Sequence, residues 1–173
     1  MGYTQKSAEP SFVPLIEHYD GNAWAMVSSP FSPSSETNQL LAVAGTSADD
    51  VWAVGYGAST GQSEGLIQHW NGTQWSLIDN PVVAHFAVDL YGIAAVSKND
   101  VWAVGYLWSL TRVLPLTEHW DGSKWSVVNP PDPGNAAELF GAGTVAGTVW
   151  AVGAYSPVAG NGLDPELALT LRR

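Results

Sequence analysis

The sequence predicts an all-β protein made of repeated four-stranded antiparallel sheets. Two strings recur along the chain at intervals near 50 residues. The first string, VWAVG, lies at 51–55, 101–105 and 149–153. The second contains a histidine followed by a Gly-x-x-Trp turn, and its histidines are His18, His69 and His119. A period of this length is typical of repeat architectures, and no segment shows the apolar spacing of a helix over three turns.

One repeat, from Leu90 to Asn129, contains four short strand signals separated by turns. They are LYGIAAVS (90–97), DVWAVGY (100–106), PLTEHW (115–120) and KWSVV (124–128). The dipeptide Asp121-Gly122 between the last two is a strong hairpin signal. Both faces of DVWAVGY are apolar, so the strand is expected to be buried on both sides. Four antiparallel strands with two-sided burial indicate the blade of a β-propeller.

The unit L-x-G-(I/V)-A-A-V-S-x-N-D-V-W-A-V-G…L-x-E-H-W-D-G-x-x-W resembles the tandem repeats of secreted bacterial β-propeller proteins. It is also similar, more distantly, to sialidase-like and photosystem-assembly-factor propellers, which carry Asp-box hairpins (S-x-D-x-G-x-x-W). The G-x-x-W part is present at Gly21–Trp24, Gly72–Trp75 and Gly122–Trp125. The serine position holds Glu17, Gln68 and Glu118, and the aspartate position holds Tyr19, Trp70 and Trp120. The resemblance covers the whole chain and implies the propeller fold with a degenerate Asp-box-like hairpin, but no activity.

The repeats divide the chain into four predicted parts. They are a partial blade at 1–38, blades at 39–89 and 90–138, and a degenerate terminal blade at 139–173. Matching Met1-Gly2-Tyr3 with Val54-Gly55-Tyr56 predicts that the chain begins at the end of a second strand. The parts then hold thirteen strands, or about three blades, whereas a single ring needs at least about four. We therefore expect another copy of the chain, or further blades, to complete the ring.

The last repeat is atypical, as terminal repeats often are. An alignment on the proline at the start of the third strand matches Pro165 with Pro115. In this alignment Ala168 and Leu169 correspond to Glu118 and His119. The Gly-x-x-Trp turn has no counterpart after it, and Arg173 is expected to be the natural C-terminus.

Composition excludes several classes of function. The chain of 173 residues carries a net charge of −10, with six basic against 16 acidic residues, which argues against a nucleic-acid partner. It has no cysteine for disulfides or thiolate metal sites, and no apolar run long enough to span a membrane. The start, MGYTQKSAEP, lacks the apolar region of a signal peptide. The acidic, cysteine-free composition fits a secreted bacterial protein, so we expect an extracellular or cell-surface location.

Repeated polar residues are interpreted as structural. The adjacent pairs Glu17/His18, Gln68/His69 and Glu118/His119 point to opposite faces of a strand and cannot converge on one ligand. Asp50 and Asp100 end hairpins, where they are expected to bond their own backbone, and Asn71-Gly72 is a turn signal rather than a glycosylation site. We expect no metal and no cofactor. Sialidase chemistry requires clustered arginines, and Arg112 is the sole arginine in the body of the chain, so no enzyme activity is expected.

Long, divergent loops follow the second and fourth strands of each repeat. They span 57–65, 107–114, 155–164, 28–38, 79–89 and 129–138, and they share one end of the predicted blades. Variable loops on a rigid scaffold often carry binding function. The candidate binding residues are Phe31, His85, Phe86, Trp108, Arg112 and Tyr155.

The favoured function is a non-catalytic scaffold that binds a protein or glycan outside the cell through this end. Two alternatives stay open. One is a self-assembling structural subunit joined by strand exchange, because the predicted strand count leaves open sheet edges. The other is part of a glycoside hydrolase or lyase propeller whose site is completed by missing blades or a second chain.

Overall fold

The computed structural model describes residues 12–32, 35–59, 62–81, 83, 86–134, 136–156 and, in its backbone, 167–172. Strands make up 68% of these residues, and none of them is helical. A helix able to cross a membrane is accordingly absent from the described part of the chain. The prediction of an all-β protein is confirmed.

Thirteen strands are described, the number that the repeat pattern predicts. They are β1 (Ile16–Tyr19), β2 (Trp24–Val27), β3 (Thr37–Ser47), β4 (Asp50–Ser59), β5 (Gln62–Trp70), β6 (Trp75–Ile78), β7 (Ala87–Ser97), β8 (Asp100–Trp108), β9 (Val113–Trp120), β10 (Trp125–Val127), β11 (Ala136–Val145), β12 (Thr148–Ser156) and β13 (Leu167–Arg172).

Consecutive strands pair antiparallel in four groups. Strands β1 and β2 form the N-terminal hairpin, β3–β6 form sheet A, β7–β10 form sheet B, and β11–β13 form sheet C. One parallel bridge, between Val113 and Ala136, joins sheets B and C. An equivalent parallel bridge joins Phe12, before the hairpin, to Thr37 in sheet A. None of these sheets closes on itself within the described residues.

A close approach of two backbones explains the glycine of the VWAVG string. In sheet B the register between β7 and β8 shifts after Leu90, which pairs with Gly105. A Cβ on Gly105 would stand 1.9 Å from the backbone oxygen of Asp89, a distance that no side chain tolerates. The same approach occurs at Gly55 and Gly153. Glycine is therefore required at this point of each second strand.

Asx side chains close the hairpin turns that precede the Gly-x-x-Trp tryptophans. The Oδ1 atom of Asp121 accepts hydrogen bonds from the backbone N–H groups of Ser123 and Lys124 at 2.8 and 3.0 Å. The Ser123 hydroxyl and these N–H groups lower the pKa of Asp121 to about 2. Gly122 follows with a φ of 94°, which favours glycine. Asn71 accepts the corresponding bonds in sheet A, so the predicted turn is present there as well.

Each sheet covers one face of the sheet before it. Trp52 of sheet A is 1% exposed, and its ring centroid lies 5.0 Å from that of Trp120 and 5.4 Å from that of Trp125, both in sheet B. We call the face with Trp52 the trailing face; Trp102 and Trp150 stand at the same position in sheets B and C. The opposite face of each sheet is its leading face. The core is therefore built mainly between sheets.

Both ends of this stack expose apolar side chains. On the trailing faces, Val54 is 0% and Val104 1% exposed, whereas Val152 of sheet C is 51% exposed. At the other end, Trp24 of the hairpin is 67% exposed, while Trp125 at the equivalent position is 6% exposed. The interior residues are covered by a neighbouring sheet, and the terminal ones have no such neighbour within the described residues.

The register of β13 corrects the alignment of the last repeat. Leu169 pairs with Gly153 as Leu116 pairs with Gly105, so Leu171 and Arg172 take the positions of Glu118 and His119. The match of Pro165 with Pro115, and of Ala168 and Leu169 with Glu118 and His119, is wrong by three residues. Strand register follows the alternating pattern LTLR, which matches LTEH, rather than the position of a proline before the strand.

The strands extend into the predicted loops: β4 and β5 contain every described residue of the predicted loop 57–65, and two candidate binding residues also lie in strands. β8 continues to Trp108, which pairs with Ala87 and Val113, and β12 continues through Tyr155 to Ser156. Aromatic residues favour extended strands, which accounts for the positions of Trp108 and Tyr155.

Candidate functional site

The structure brings together only some of the residues predicted at the long-loop end. Phe86 lines a cleft there, Phe31 precedes a lining residue, and Trp108 contacts another lining residue. Arg112 and Tyr155 do not line the cleft, and His85 lies outside the described residues.

The cleft has a volume of about 590 Å³. It lies between sheet A and the segments that precede and follow this sheet, at Ser32 and at residues 79–81, 83 and 86. Its described lining combines one aromatic ring with hydroxyl, amide and carboxylate groups. The residues of interest are Ser32, Ser63, Glu64, Asn80 and Phe86. A concave site with a few convergent polar groups beside an apolar wall is the usual form of a small-ligand site.

Hydrogen bonds hold the rim of the cleft. The hydroxyl groups of Ser32 and Ser35 donate to Oε1 of Glu64 at 3.3 and 3.2 Å. The indole Nε1 of Trp108 donates to the hydroxyl of Ser63 at 3.3 Å and so ties sheet B to the cleft wall in sheet A. The half-buried ring of Phe86 packs against the core while it also lines the cleft.

Arg112 and Tyr155 have local roles elsewhere. The Nη2 atom of Arg112 lies 3.0 Å from Oδ2 of Asp132, and both side chains are partly exposed. This ion pair connects the loop after β8 to the loop after β10. Tyr155 pairs with Ala137 and Leu167 inside sheet C.

A second groove, of about 460 Å³, lies between sheets A and B at the end opposite the long loops. At this end, short turns join the first strand to the second and the third strand to the fourth. In the groove, Nε2 of His69 lies 2.7 Å from Oδ1 of Asp50, and the imidazole ring lies 4.2 Å from the ring of Trp52. Partial burial opposes ionisation of Asp50, but hydrogen bonds from Thr46 and His69 outweigh it and lower its pKa.

The same aspartate–histidine–tryptophan unit recurs in sheet B. Nε2 of His119 lies 2.9 Å from Oδ1 of Asp100, the same oxygen accepts from Trp102 Nε1 at 2.8 Å, and the two rings stack at 4.3 Å. In sheet C, Thr148 and Arg172 stand at the aspartate and histidine positions, so both partners are absent together. A unit present in two successive sheets and lost as a pair supports the interpretation that it braces the second and third strands.

These partners differ from the predicted ones. Sequence reasoning assigns Asp50 and Asp100 to backbone bonds within their turns, whereas the structure shows side-chain bonds to histidines 19 residues later. A signal for this pairing exists, because the D-V-W aspartate and the E/Q-H histidine occur in the same two repeats and are both missing from the third.

Sequence reasoning also missed a buried polar contact between sheets. Gln68 and Glu118 are both fully buried. The Ser29 hydroxyl donates to Oε1 of Gln68 at 2.8 Å, and Asn80 Nδ2 donates to Oε2 of Glu118 at 3.3 Å. In each case the donor follows the last strand of the preceding hairpin or sheet and stands immediately before a proline.

No cluster of three or more histidine, aspartate or glutamate side chains suited to a metal ion occurs among the residues described. No protein-family model matches the chain, and no curated protein matches it either.

Proposed function

We propose that the chain is a segment of a β-propeller in which sheets A, B and C are consecutive blades. Two features support this arrangement. Each sheet covers the trailing face of its predecessor, and the first strands of neighbouring sheets run close together: a Cβ on Gly92 in β7 would meet the backbone of Gly141 and Ala142 in β11 at 2.6–2.8 Å. Blades around a common axis require this convergence of first strands.

We further propose that this scaffold is non-catalytic and binds a glycan or protein outside the cell through the long-loop end. The observation that carries the proposal is the 590 Å³ cleft, lined by Phe86 and by hydroxyl, amide and carboxylate groups. An aromatic ring beside fixed acceptors and donors suits the apolar face and the hydroxyl groups of a sugar, or a polar peptide.

Two carboxylates, Glu64 and Asp79, line the cleft, and a glycosidase would use such a pair. Both side chains are exposed, and Glu64 already accepts two serine hydroxyls. A general acid for glycoside cleavage depends on an apolar environment that keeps it protonated. This setting favours binding over catalysis.

The test is a glycan array and a peptide array probed with the intact chain and with two cleft variants, Glu64→Ala and Phe86→Ala. Lys98→Ala, in the groove at the opposite end, is the matched control. We expect binding to weaken at least about tenfold for each cleft variant and to stay unchanged for the control, with thermal unfolding measured for all. Binding that survives both substitutions, or no binding to either array, would show that the proposed site is wrong.

A further inference from the structure

We propose that the hairpin β1–β2 of one copy pairs with β12 of a second copy, so that β11, β12, β1 and β2 form one four-stranded sheet. This inference rests on the blade arrangement proposed above and not on binding in the cleft. The occupant of the exposed ends of the stack is thus a second copy of this chain.

The hairpin occupies the place of the third and fourth strands of a sheet that precedes sheet A. The bridge from Phe12 to Thr37 repeats the bridge from Val113, in the third strand of sheet B, to Ala136 of sheet C. The bond from Ser29 to Gln68 likewise repeats the contact that Asn80, after β6, makes with Glu118 of the next sheet. The hairpin is therefore the outer half of a blade.

The inner half of that blade is missing from the described chain, and its absence exposes sheet A. Val43 of β3 is 67% exposed, whereas Ile93 at the same position in β7 is 5% exposed. Ile93 is buried in one cluster with Trp52 and Val54 from the second strand of the preceding sheet. What sheet A lacks is a pair of inner strands with an apolar trailing face.

Sheet C supplies the complementary half. Its inner strands β11 and β12 are present, and the trailing-face side chains Trp150 and Val152 are 37% and 51% exposed. Val152 stands at the position of Val54, the residue that helps to bury Ile93. Packed against sheet A of a second copy, Val152 would cover Val43 in the same way.

The hairpin in turn carries a pair of rings like the pair in sheet B that buries Trp52. Trp52 is buried by Trp120 and Trp125, whose ring centroids lie 6.0 Å apart in the third and fourth strands of sheet B. Tyr19 and Trp24 form the same pair in the hairpin, with centroids 5.5 Å apart. Joined to β12, this pair would cover Trp102 of sheet B, which is half-buried in the single chain.

Polar groups also lie at the same junction. Asn129 stands directly before a proline, as Asn80 does, and it is exposed, but it lies four residues after Trp125, whereas Asn80 lies five residues after Trp75. In the composite sheet Glu17 stands where Glu118 stands in sheet B, so its carboxyl group comes close to the chain that follows β10. In the single chain, β13 places Leu171 at that position instead.

Pairing requires that β1 replace β13 along the edge of β12. The six backbone pairs of β13 would be exchanged for pairs in the register of β4 with β5, which sets His18 opposite Trp150. β1 has four strand residues, and Pro14 just before it has no N–H, so β1 replaces only part of the backbone pairing of β13. The apolar side chains that become buried between the copies are what favours the assembly. Two copies joined twice in this way hold six sheets, within the usual range of about four to eight blades for a closed ring.

The first experiment measures the native mass of the full chain by light scattering over a dilution series. We expect a dimer of the 18.3 kDa chain, and we expect Trp24→Glu to weaken dimerisation at least about tenfold. Trp24 is exposed in the single chain, so the substitution leaves its fold intact. Leu110→Glu is the matched control, because Leu110 is a fully exposed apolar residue in the loop after β8.

A second experiment tests the strand pairing, since the chain has no native cysteine. Val54 pairs with Ile67, so the composite sheet sets Val152 of one copy opposite Ile16 of the other. The double variant Ile16→Cys/Val152→Cys should give a covalent two-copy species under mild oxidation, and each single variant should give much less.

A monomer at every concentration overturns the inference, as does a dimer that Trp24→Glu leaves unchanged. A dimer without the covalent species overturns the strand pairing. Cleft binding is measured separately, so a monomer that binds ligand refutes this inference alone.

Discussion

Asn80 Nδ2 donates a hydrogen bond of 3.3 Å to Oε2 of Glu118, a carboxyl group that is fully buried at the contact between sheets A and B. The other oxygen, Oε1, is buried without a protein partner. Burial raises the pKa of Glu118 to about 8, despite the opposing effect of the Asn80 bond. Gln68 fills the equivalent position in sheet A, where its Nε2 donates to the backbone oxygen of Pro30 at 2.9 Å.

Glu118→Gln should therefore stabilise the protein at alkaline pH. Between the ordinary pKa of 4.5 and the folded pKa of about 8, the unfolded chain releases a proton that the folded chain retains, so the free energy of unfolding falls as pH rises through this window. The variant lacks this loss, and we expect it to gain about 2–4 kcal/mol at pH above 8 and to match the parent near pH 4. Urea unfolding at both pH values measures the difference, with the exposed Glu64→Gln as control. An advantage of equal size at both pH values would contradict the proposed burial of a neutral carboxyl.

Trp125→Ala should cost about 3–5 kcal/mol of unfolding free energy, because the ring is buried and covers Trp52. Trp24→Ala removes the equivalent ring of the hairpin, which is exposed in the single chain, and should cost less than about 1 kcal/mol. Chemical unfolding of both variants, at concentrations where the chain is monomeric, provides the comparison. Equal costs would show that contacts between sheets do not bury these positions differently.

Asp50→Ala should destabilise sheet A by about 1–3 kcal/mol, because His69 and Thr46 lose a partly buried acceptor. Asp49→Ala, at the neighbouring exposed carboxylate, is the control. The folded pKa of Asp50 is lowered, so its contribution is present above the ordinary value of 3.8 and is lost as pH falls through the folded pKa. Thermal unfolding between pH 2 and 7 should thus show a smaller difference between variant and parent at the acidic end.

Gly105→Ala should destabilise the protein by at least about 3 kcal/mol, because the new Cβ meets the backbone oxygen of Asp89 at 1.9 Å. Gly143→Ala is its matched control in the strand β11, where a Cβ meets no atom within 4 Å. Alanine restricts the unfolded chain more than glycine does, so this control should gain up to about 1 kcal/mol. Equal destabilisation by the two substitutions would rule out the close approach as the reason for the glycine.

The strand order could be predicted from the sequence because the same strand and turn signals recur in successive repeats. The turn at Asp121-Gly122 and the apolar faces around Trp102 are local signals, and the structure contains the strands that they predict. The register of β13 could not be obtained in this way, because an alignment on Pro165 displaces the strand by three residues.

The candidate site was less predictable, since it depends on contacts between sheets. Trp108 is predicted in a loop but ends a strand and bonds Ser63 across the sheet boundary. Glu118 and His119 look alike in sequence, as adjacent polar residues, yet one is fully buried between sheets and the other binds Asp100 within its own sheet. Only the packing of neighbouring sheets separates these two roles.

Trp120 and Trp125 cover Trp52 of the preceding sheet, so one repeat can pack against another copy of the same repeat. Every repeat that retains these positions has a tryptophan on its trailing face for the next sheet to cover, and two rings on its leading face that cover the tryptophan of the sheet before it. A coding sequence of this kind can therefore lengthen by duplication of one segment of about 50 codons without the evolution of any new interface. The polar pairs at the junctions, serine with glutamine and asparagine with glutamate, then record where one duplicated segment has diverged from another.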